Sequence, residues 1–475
     1  MTQTFDAPEA PAPRWSDLFA GDLLPFSVVL GGGVVLHAMN VFVSATIMPS
    51  VVADIGGIAF YAWATTLFVM ASIVGAALTS RLMQLFGPRK TYLIAFGLFC
   101  LGTFICGQAT SIGLFNAGRS VQGGGGGMLY ALAYAVIRSV FPERLWPLAI
   151  GLITLMWGVA TMAGPAVGGV FAELQAWRFA FFSLLPVAAL LSFLCLRVFP
   201  GDHQRESADV SVPWTQLGLL LAIVAVVSIG SADAAASTSA LSILAAAALM
   251  LLLLRIETSA RARLLPLSVF QGNGKLGLLY LYLALMMIGM QPEAFVPYFL
   301  QVLQGQPPLI AGYMGALMAL GWTCASALSA KFTGRRADRT LILGALFSFV
   351  GLGLQVVLLP VSLETVTGFA ALALGLVLVG FGIGFCWPHL TTRIFSAAEA
   401  ADQDAAATAV TTVQLFATAL GASLAGMAAN AGGMTDPGGT AGASSAAFWL
   451  FLTFLIAPAL AFPMAIRATA SEPRN

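Results

Sequence analysis

The chain has 475 residues, of which 59% are apolar and only 9% charged, where a soluble domain carries about 25% charged residues. So few charges cannot coat a water-soluble particle of this size, and lipid is the expected solvent for most of the chain. The net charge of +1 offers no basic surface for a nucleic acid, but the placement of the charges is informative.

Residues 1–23 hold four acids, one arginine and three prolines, without the basic start and apolar core of a signal peptide. They read as a disordered cytoplasmic tail. Apolar runs of spanning length then follow near 24–47, 58–80, 91–109, 112–137, 146–170, 178–198, 213–230, 238–255, 275–302, 309–330, 341–360, 365–392, 405–429 and 445–466. That makes fourteen expected spans, of which 213–230 and 238–255 are barely long enough to cross. Dropping that pair leaves twelve and the same orientation for all the others. With the N-terminus inside, 19 of the 21 Lys and Arg face the cytoplasm; Arg178 lies outside and Arg119 within a span. Both termini are therefore expected inside, in a multi-pass protein of the inner membrane.

The longest inner connections, 199–212 and 256–274, divide the chain into six, two and six spans. The expected plan is all-α: a six-helix bundle over 24–198, linkers with two extra helices over 199–274, a second six-helix bundle over 275–467, and a short tail over 468–475. Two six-helix halves are the plan of a transporter built from repeats. The cysteines Cys100, Cys106, Cys195, Cys324 and Cys386 all fall in apolar runs with no metal spacing and read as packing residues.

Residues 119–132, RSVQGGGGGMLYAL, place five glycines after a charged arginine. A phosphate loop needs a Lys after the last glycine, and none follows Gly127. In water the run would melt a helix, at roughly 1 kcal/mol per glycine relative to alanine. In hydrocarbon the backbone has no alternative partner, so the helix survives with a bare face for close packing. Arg119 itself is costly in a span and should face a watery cavity or a partner.

Arg119, Gln122 and Gly123 form R-x-x-Q-G, which resembles the span-4 signature of the major facilitator superfamily. Residues 151–169 resemble the span-5 antiporter signature through Gly151, Gly164, Pro165, Gly168 and Gly169, with Ala160 replacing one glycine. Trp177, Arg178, Phe181 and Pro186 are similar to the opening of span 6, and 297–313 to the outer end of span 9. With fourteen spans, the subgroup most resembled is the fourteen-helix drug:proton antiporters. The cytoplasmic loop signature survives in part over 80–90: Leu82, Gly87 and Arg89 match and Lys90 extends the basic run. Ser80 and Gln84 replace the family's glycine and aspartate, so the latch that this loop implies is weakened. The subgroup usually carries an Asp nine residues before a proline in span 1; counting back from Pro49 gives Asn40, so the usual proton carrier is missing.

The ionisable residues inside spans are His37, Arg119, Glu293 and His389, on spans 1, 4, 9 and 12. The resemblance implies that these four helices are equivalent and line a central cavity. Glu293 follows Pro292 and is the one acid well inside a span; it is either a proton-coupling group or a fixed partner of Arg119. His37 and Asn40 share a helix face, and His37 is either a proton relay or a packing residue. His389 sits four residues before Arg393, which reads as an interfacial snorkelling side chain. Tyr61, Trp63, Tyr130, Tyr280 and Trp387 are available to an apolar pocket. The expected activity is proton-driven export of small amphipathic compounds by a monomer, without cofactor or metal. An organic-anion symporter or facilitator is the alternative, and an integral-membrane enzyme the rival of another class.

Overall fold

The computed structural model describes residues 14–199, 212–233, 235–260, 262–270, 274–398 and 402–470. Arg205, Arg261 and Arg474, three of the expected inner charges, and most of both expected tails lie outside the described residues. All regular structure among the described residues is helical. The first half is built of α1 (Leu24–Ile55), α2 (Trp63–Gly107), α3 (Ile112–Val140), α4 (Trp146–Glu173), α5 (Trp177–Phe182) and α6 (Leu184–Val198). A hairpin of α7 (Trp214–Ser231) and α8 (Ala236–Ser259) follows. The second half comprises α9 (Lys275–Met290), α10 (Val296–Gln304), α11 (Pro308–Ser329), α12 (Arg335–Leu358), α13 (Val366–Ala397), α14 (Gln403–Ala429), α15 (Gly439–Phe454) and α16 (Ile456–Ala470).

Among the described residues, twelve helical stretches are long and apolar enough to cross a membrane. One of them, 58–107, contains α2, which is broken at Gly87 (φ 73°) ahead of Pro88. A side chain is disfavoured at that φ, and Pro88 withholds a backbone donor. The chain doubles back there: Phe68 and Phe99 lie within contact of Gly123 and Gly125 on α3, whereas a straight helix would separate them by about 46 Å. The 29-residue α3 falls outside the twelve because its glycines and Arg119 lower its hydropathy.

The glycine run explains how α3 fits. A Cβ on Gly123 would lie 2.1 Å from the Phe68 carbonyl, one on Gly125 2.4 Å from the Phe99 nitrogen, and one on Gly127 2.2 Å from the Ser72 carbonyl. A Cβ on Gly126 would lie 2.8 Å from His37 Nδ1 of α1. Three neighbouring segments thus reach the bare backbone of α3. The second half repeats the device in α13, where Gly380 and Gly384 face the carbonyls of Met318 and Trp322 on α11.

One expectation needs correction. The end of the N-terminal tail is ordered and packed, with a 3₁₀ turn at Trp15–Phe19 that buries Leu18 completely. Ser27 Oγ donates to the Leu18 carbonyl at 2.6 Å. An apolar side chain that can reach the α1–α4 surface is driven there even from a segment rich in acids.

Short links make successive helices alternate, so one end of the bundle carries the start of α1 and the other, distal end carries Ile55, Glu173 and Gln304. The halves meet along α4 with α11, α1 with α11, and α2 with α14. At the distal end Tyr61 Oη donates to the Ala294 carbonyl (3.3 Å), Leu309 N to Glu173 (3.3 Å), and Asn430 Nδ2 to the Ala59 carbonyl (2.8 Å). The extra pair is seated on the bundle through α7. α7 lies against both α2 and α14, where Trp63 donates to the Ser228 carbonyl (3.1 Å) and the Ser228 and Ser423 hydroxyls bond at 2.8 Å. α8 packs on α7 and exposes most of its surface.

Candidate functional site

Of the sequence-derived site residues, four converge in the first half. Helical spacing puts His37 and Asn40 on one face of α1, and Arg119 and Gln122 on one face of α3. Arg119 is 1% exposed. Its Nε donates to the Ala64 carbonyl (3.1 Å), and its Nη1 donates to Asn40 Oδ1 (3.0 Å) and Gln122 Oε1 (2.6 Å). Its guanidinium lies over the Phe68 ring, 4.3 Å from the centroid. Gln122 is held in turn by donating to Thr103 Oγ1 (2.8 Å). Every acceptor around Arg119 is neutral, and no carboxylate pairs with it among the described residues.

The cluster leaves polar atoms over. Asn40 is fully buried and spends its oxygen on Arg119, while its Nδ2 has no acceptor. His37 is also buried, and its Nδ1 has no partner. The imidazole is walled by Phe68, Tyr130 and Trp157, with ring centroids 5.4, 5.5 and 6.0 Å away. Phe68, Thr103, Trp157 and the Ala64 carbonyl were not singled out from the sequence; nothing in their spacing ties them to Arg119 until α2 doubles back.

Glu293 stands apart from this cluster, in the other half. Pro292 cannot donate to a preceding carbonyl, and α9 stops at Met290. A 3₁₀ turn, Gln291–Phe295, carries the chain to α10. The Glu293 carboxylate is half-buried and has no hydrogen bond or ion pair among the described residues. The pairing with Arg119 that the sequence left open is therefore not formed. The same turn is gripped from the first half, because Tyr61 donates to the Ala294 carbonyl and stacks on Phe295 with centroids 4.9 Å apart.

His389 is also separate; its Nε2 lies 2.8 Å from the Ser329 carbonyl of α11. Arg393 is not a free snorkelling residue: it pairs with Asp338 of α12 and reaches the Ala468 carbonyl of α16. Among the aromatics, Tyr280 donates to the Ala406 carbonyl, and Trp387 packs on Trp322.

The 164–169 run divides between two contacts. A Cβ on Gly164 would lie 2.5 Å from Phe42 Cβ, and one on Gly168 3.1 Å from the Val43 carbonyl, so both press α4 against α1. A Cβ on Gly169 would lie 2.5 Å from the Leu309 Cα of α11, across the boundary between the halves. Pro165 lies within α4 between them. At the break in α2, Gly87 makes the turn, the Arg89 carbonyl accepts from Cys195 Sγ (3.9 Å), and Lys90 is exposed.

Buried polar side chains among membrane-length helices are costly in lipid and mark a working site. Residues 30–426 match the family model described as Major Facilitator Superfamily. The chain belongs to that superfamily. This facilitator is 36% identical to a protein named as a probable multidrug-efflux transporter of Mycobacterium tuberculosis, over 97% of this chain and 98% of the relative. It is 23% identical to multidrug resistance protein 3 of Bacillus subtilis, over 75% of this chain and 70% of that one. A solved peptide transporter superposes with a TM-score of 0.69 at 12% identity, covering 96% of this chain and 99% of the other, which shows a shared fold. With its membrane-crossing helices, the facilitator is a multi-pass protein of the plasma membrane.

Proposed function

We propose that this facilitator exports small amphipathic compounds in exchange for protons, by alternating access of its two halves. One observation carries the reading: Glu293, an unpaired and partly accessible carboxylate, sits at a helix break beside the boundary between the halves. An intramembrane acid without a counter-charge is expensive unless it takes up and releases a proton. Counting α2 as two crossings and adding α3 gives fourteen crossings with both termini on the cytoplasmic side, in line with the bias of Lys and Arg. The distal end is then the outer one, and its cross-half hydrogen bonds describe a conformation closed to the outside. The relatives named for multidrug efflux support the direction and breadth of transport.

In this reading Glu293 carries the proton, and the wall formed by His37, Asn40, Arg119 and Gln122 meets the substrate. His389 is a minor member of the cavity lining. Gly164, Pro165, Gly168 and Gly169 shape α4 for the rocking motion, and Gly87, Arg89 and Lys90 shape the cytoplasmic turn. The working unit is a monomer, needs no cofactor and has no enzymatic step. An organic-anion symporter of the same fold is the second reading, favoured by the missing counter-charge on Arg119. The test is proton release from the purified protein on addition of compounds from an amphipathic panel. Release on substrate binding, absent in Glu293→Gln, supports exchange; proton uptake with anionic compounds supports the second reading and overturns the first.

A further inference from the structure

We propose that a pocket at the distal end, between the starts of α2 and α3, is a ligand site separate from the Arg119 cluster and takes a single aromatic ring bearing a hydroxyl. Binding there does not depend on the export reading. The pocket has a volume of about 220 Å³. Drug-sized ligands occupy sites of about 300–1,000 Å³, whereas an apolar cavity of about 150 Å³ already admits benzene. The space therefore suits one ring. Phe60 and Trp63 form one wall, with their rings edge to face and centroids 5.1 Å apart. Leu67 and Ile112 add apolar surface, and the exposed Gly113 and Ala117 leave the rim open. None of the lining residues belongs to the Arg119 cluster.

Three lining residues carry polar side chains, and two of these are already committed. Trp63 Nε1 donates to the Ser228 carbonyl (3.1 Å), and Ser120 Oγ donates to the Asn116 carbonyl (3.1 Å). The third is Asn116, which is 5% exposed. Its Oδ1 is buried without a partner, and its Nδ2 makes no hydrogen bond among the described residues. Leaving a buried polar group unpaired is costly. Water is a poor remedy, because an ordered water needs about two to four polar partners and the lining offers one uncommitted carboxamide. A ligand hydroxyl both donates and accepts, so it pairs with that carboxamide whichever way round the group lies. The attached ring then meets the aromatic wall, where edge-to-face and offset contacts favour a second π-system. A charged ligand finds no counter-charge among the lining residues. Ala59 and Tyr61, in the same segment as Phe60 and Trp63, bond to the second half, so an occupant is lodged against the segment that closes the distal end.

The experiment uses the full-length protein in lipid nanodiscs and two probes, para-fluorophenol and para-fluorotoluene, which differ by a hydroxyl against a methyl. Saturable binding is read from fluorine NMR line broadening, with empty nanodiscs subtracted. The wild type should bind the phenol saturably. Asn116→Leu removes the carboxamide at similar volume and should lower the affinity for the phenol, relative to the toluene, by about fivefold. Gly113→Phe fills the pocket from its rim, where an added Cβ meets nothing within 4 Å, and should abolish saturable binding of both probes. Being on the exposed rim, it keeps the proposal testable if Asn116→Leu does not insert. Absence of saturable binding to the wild type, an unchanged phenol-to-toluene ratio in Asn116→Leu, or undiminished binding by Gly113→Phe overturns the proposal.

Discussion

The five consecutive glycines provide their own control for the claim that bare backbone packs α3. A Cβ added at Gly127 would sit 2.2 Å from the Ser72 carbonyl oxygen, whereas one added at Gly124 would meet nothing within 4 Å. To restore an ordinary 3.4 Å contact at Gly127, the Ser72 turn must retreat by about 1.2 Å, the difference between the two distances. The obstacle is backbone, so no side-chain rotation relieves it. Ser72 Oγ also donates to the Gly123 carbonyl at 3.0 Å, and a retreat would stretch that bond too. Overpacking of this kind costs about 1–3 kcal/mol in close-packed interiors. Gly127→Ala should therefore lower the thermal unfolding midpoint of the purified protein in detergent. Gly124→Ala should leave it unchanged within error. Equal loss at both positions, or none at Gly127, would refute the packing account and leave the run as a generic feature of composition.

Gly168→Leu should abolish transport in cells or proteoliposomes while the protein still inserts, because α4 must leave α1 to fit the side chain. Normal transport by a well-expressed variant would make these contacts incidental. Glu293→Gln keeps shape and hydrogen bonding, so it should retain thermal stability and lose substrate-induced proton release; a stable, fully coupled variant would remove Glu293 from the mechanism. Deleting α7 and α8 with a matched linker should leave residual transport at reduced thermal stability, since α7 bonds to α2 and α14 and carries none of the candidate site residues. Complete loss of transport in a folded variant would mean that the pair is part of the route.

Most of the helical plan could be read from the sequence, because one-dimensional signals govern it. Length and apolarity mark the spans, and Gly87 with Pro88 marks the turn inside α2. What could not be read was contact across distant segments. The seat of α7 depends on Ser228, Ser423 and Trp63, three unremarkable residues whose meeting is a product of topology. Arg393 illustrates the same limit: its place near a span end suggested snorkelling, but Asp338 on α12 arrives to pair with it.

The candidate site was legible as an inventory but not as a circuit. Four ionisable groups on four helices that the resemblance places around a cavity invited a pairing of the one acid with the buried base. Electrostatics alone favours that pairing, since two charges cost less together than apart in hydrocarbon. The geometry resolves the problem differently. Asn40 stands close enough to satisfy Arg119 with a neutral oxygen, and Ala64 and Gln122 share the task. Arg119 can then remain buried without drawing Glu293 toward it. Glu293 sits on a turn whose regular helix Pro292 has already broken, and it keeps accessible surface in place of a partner. A salt bridge would have fixed both groups in one state. On the proposed export reading, separating them leaves the acid available to exchange a proton as its surroundings change, which a fixed ion pair across the two halves would oppose.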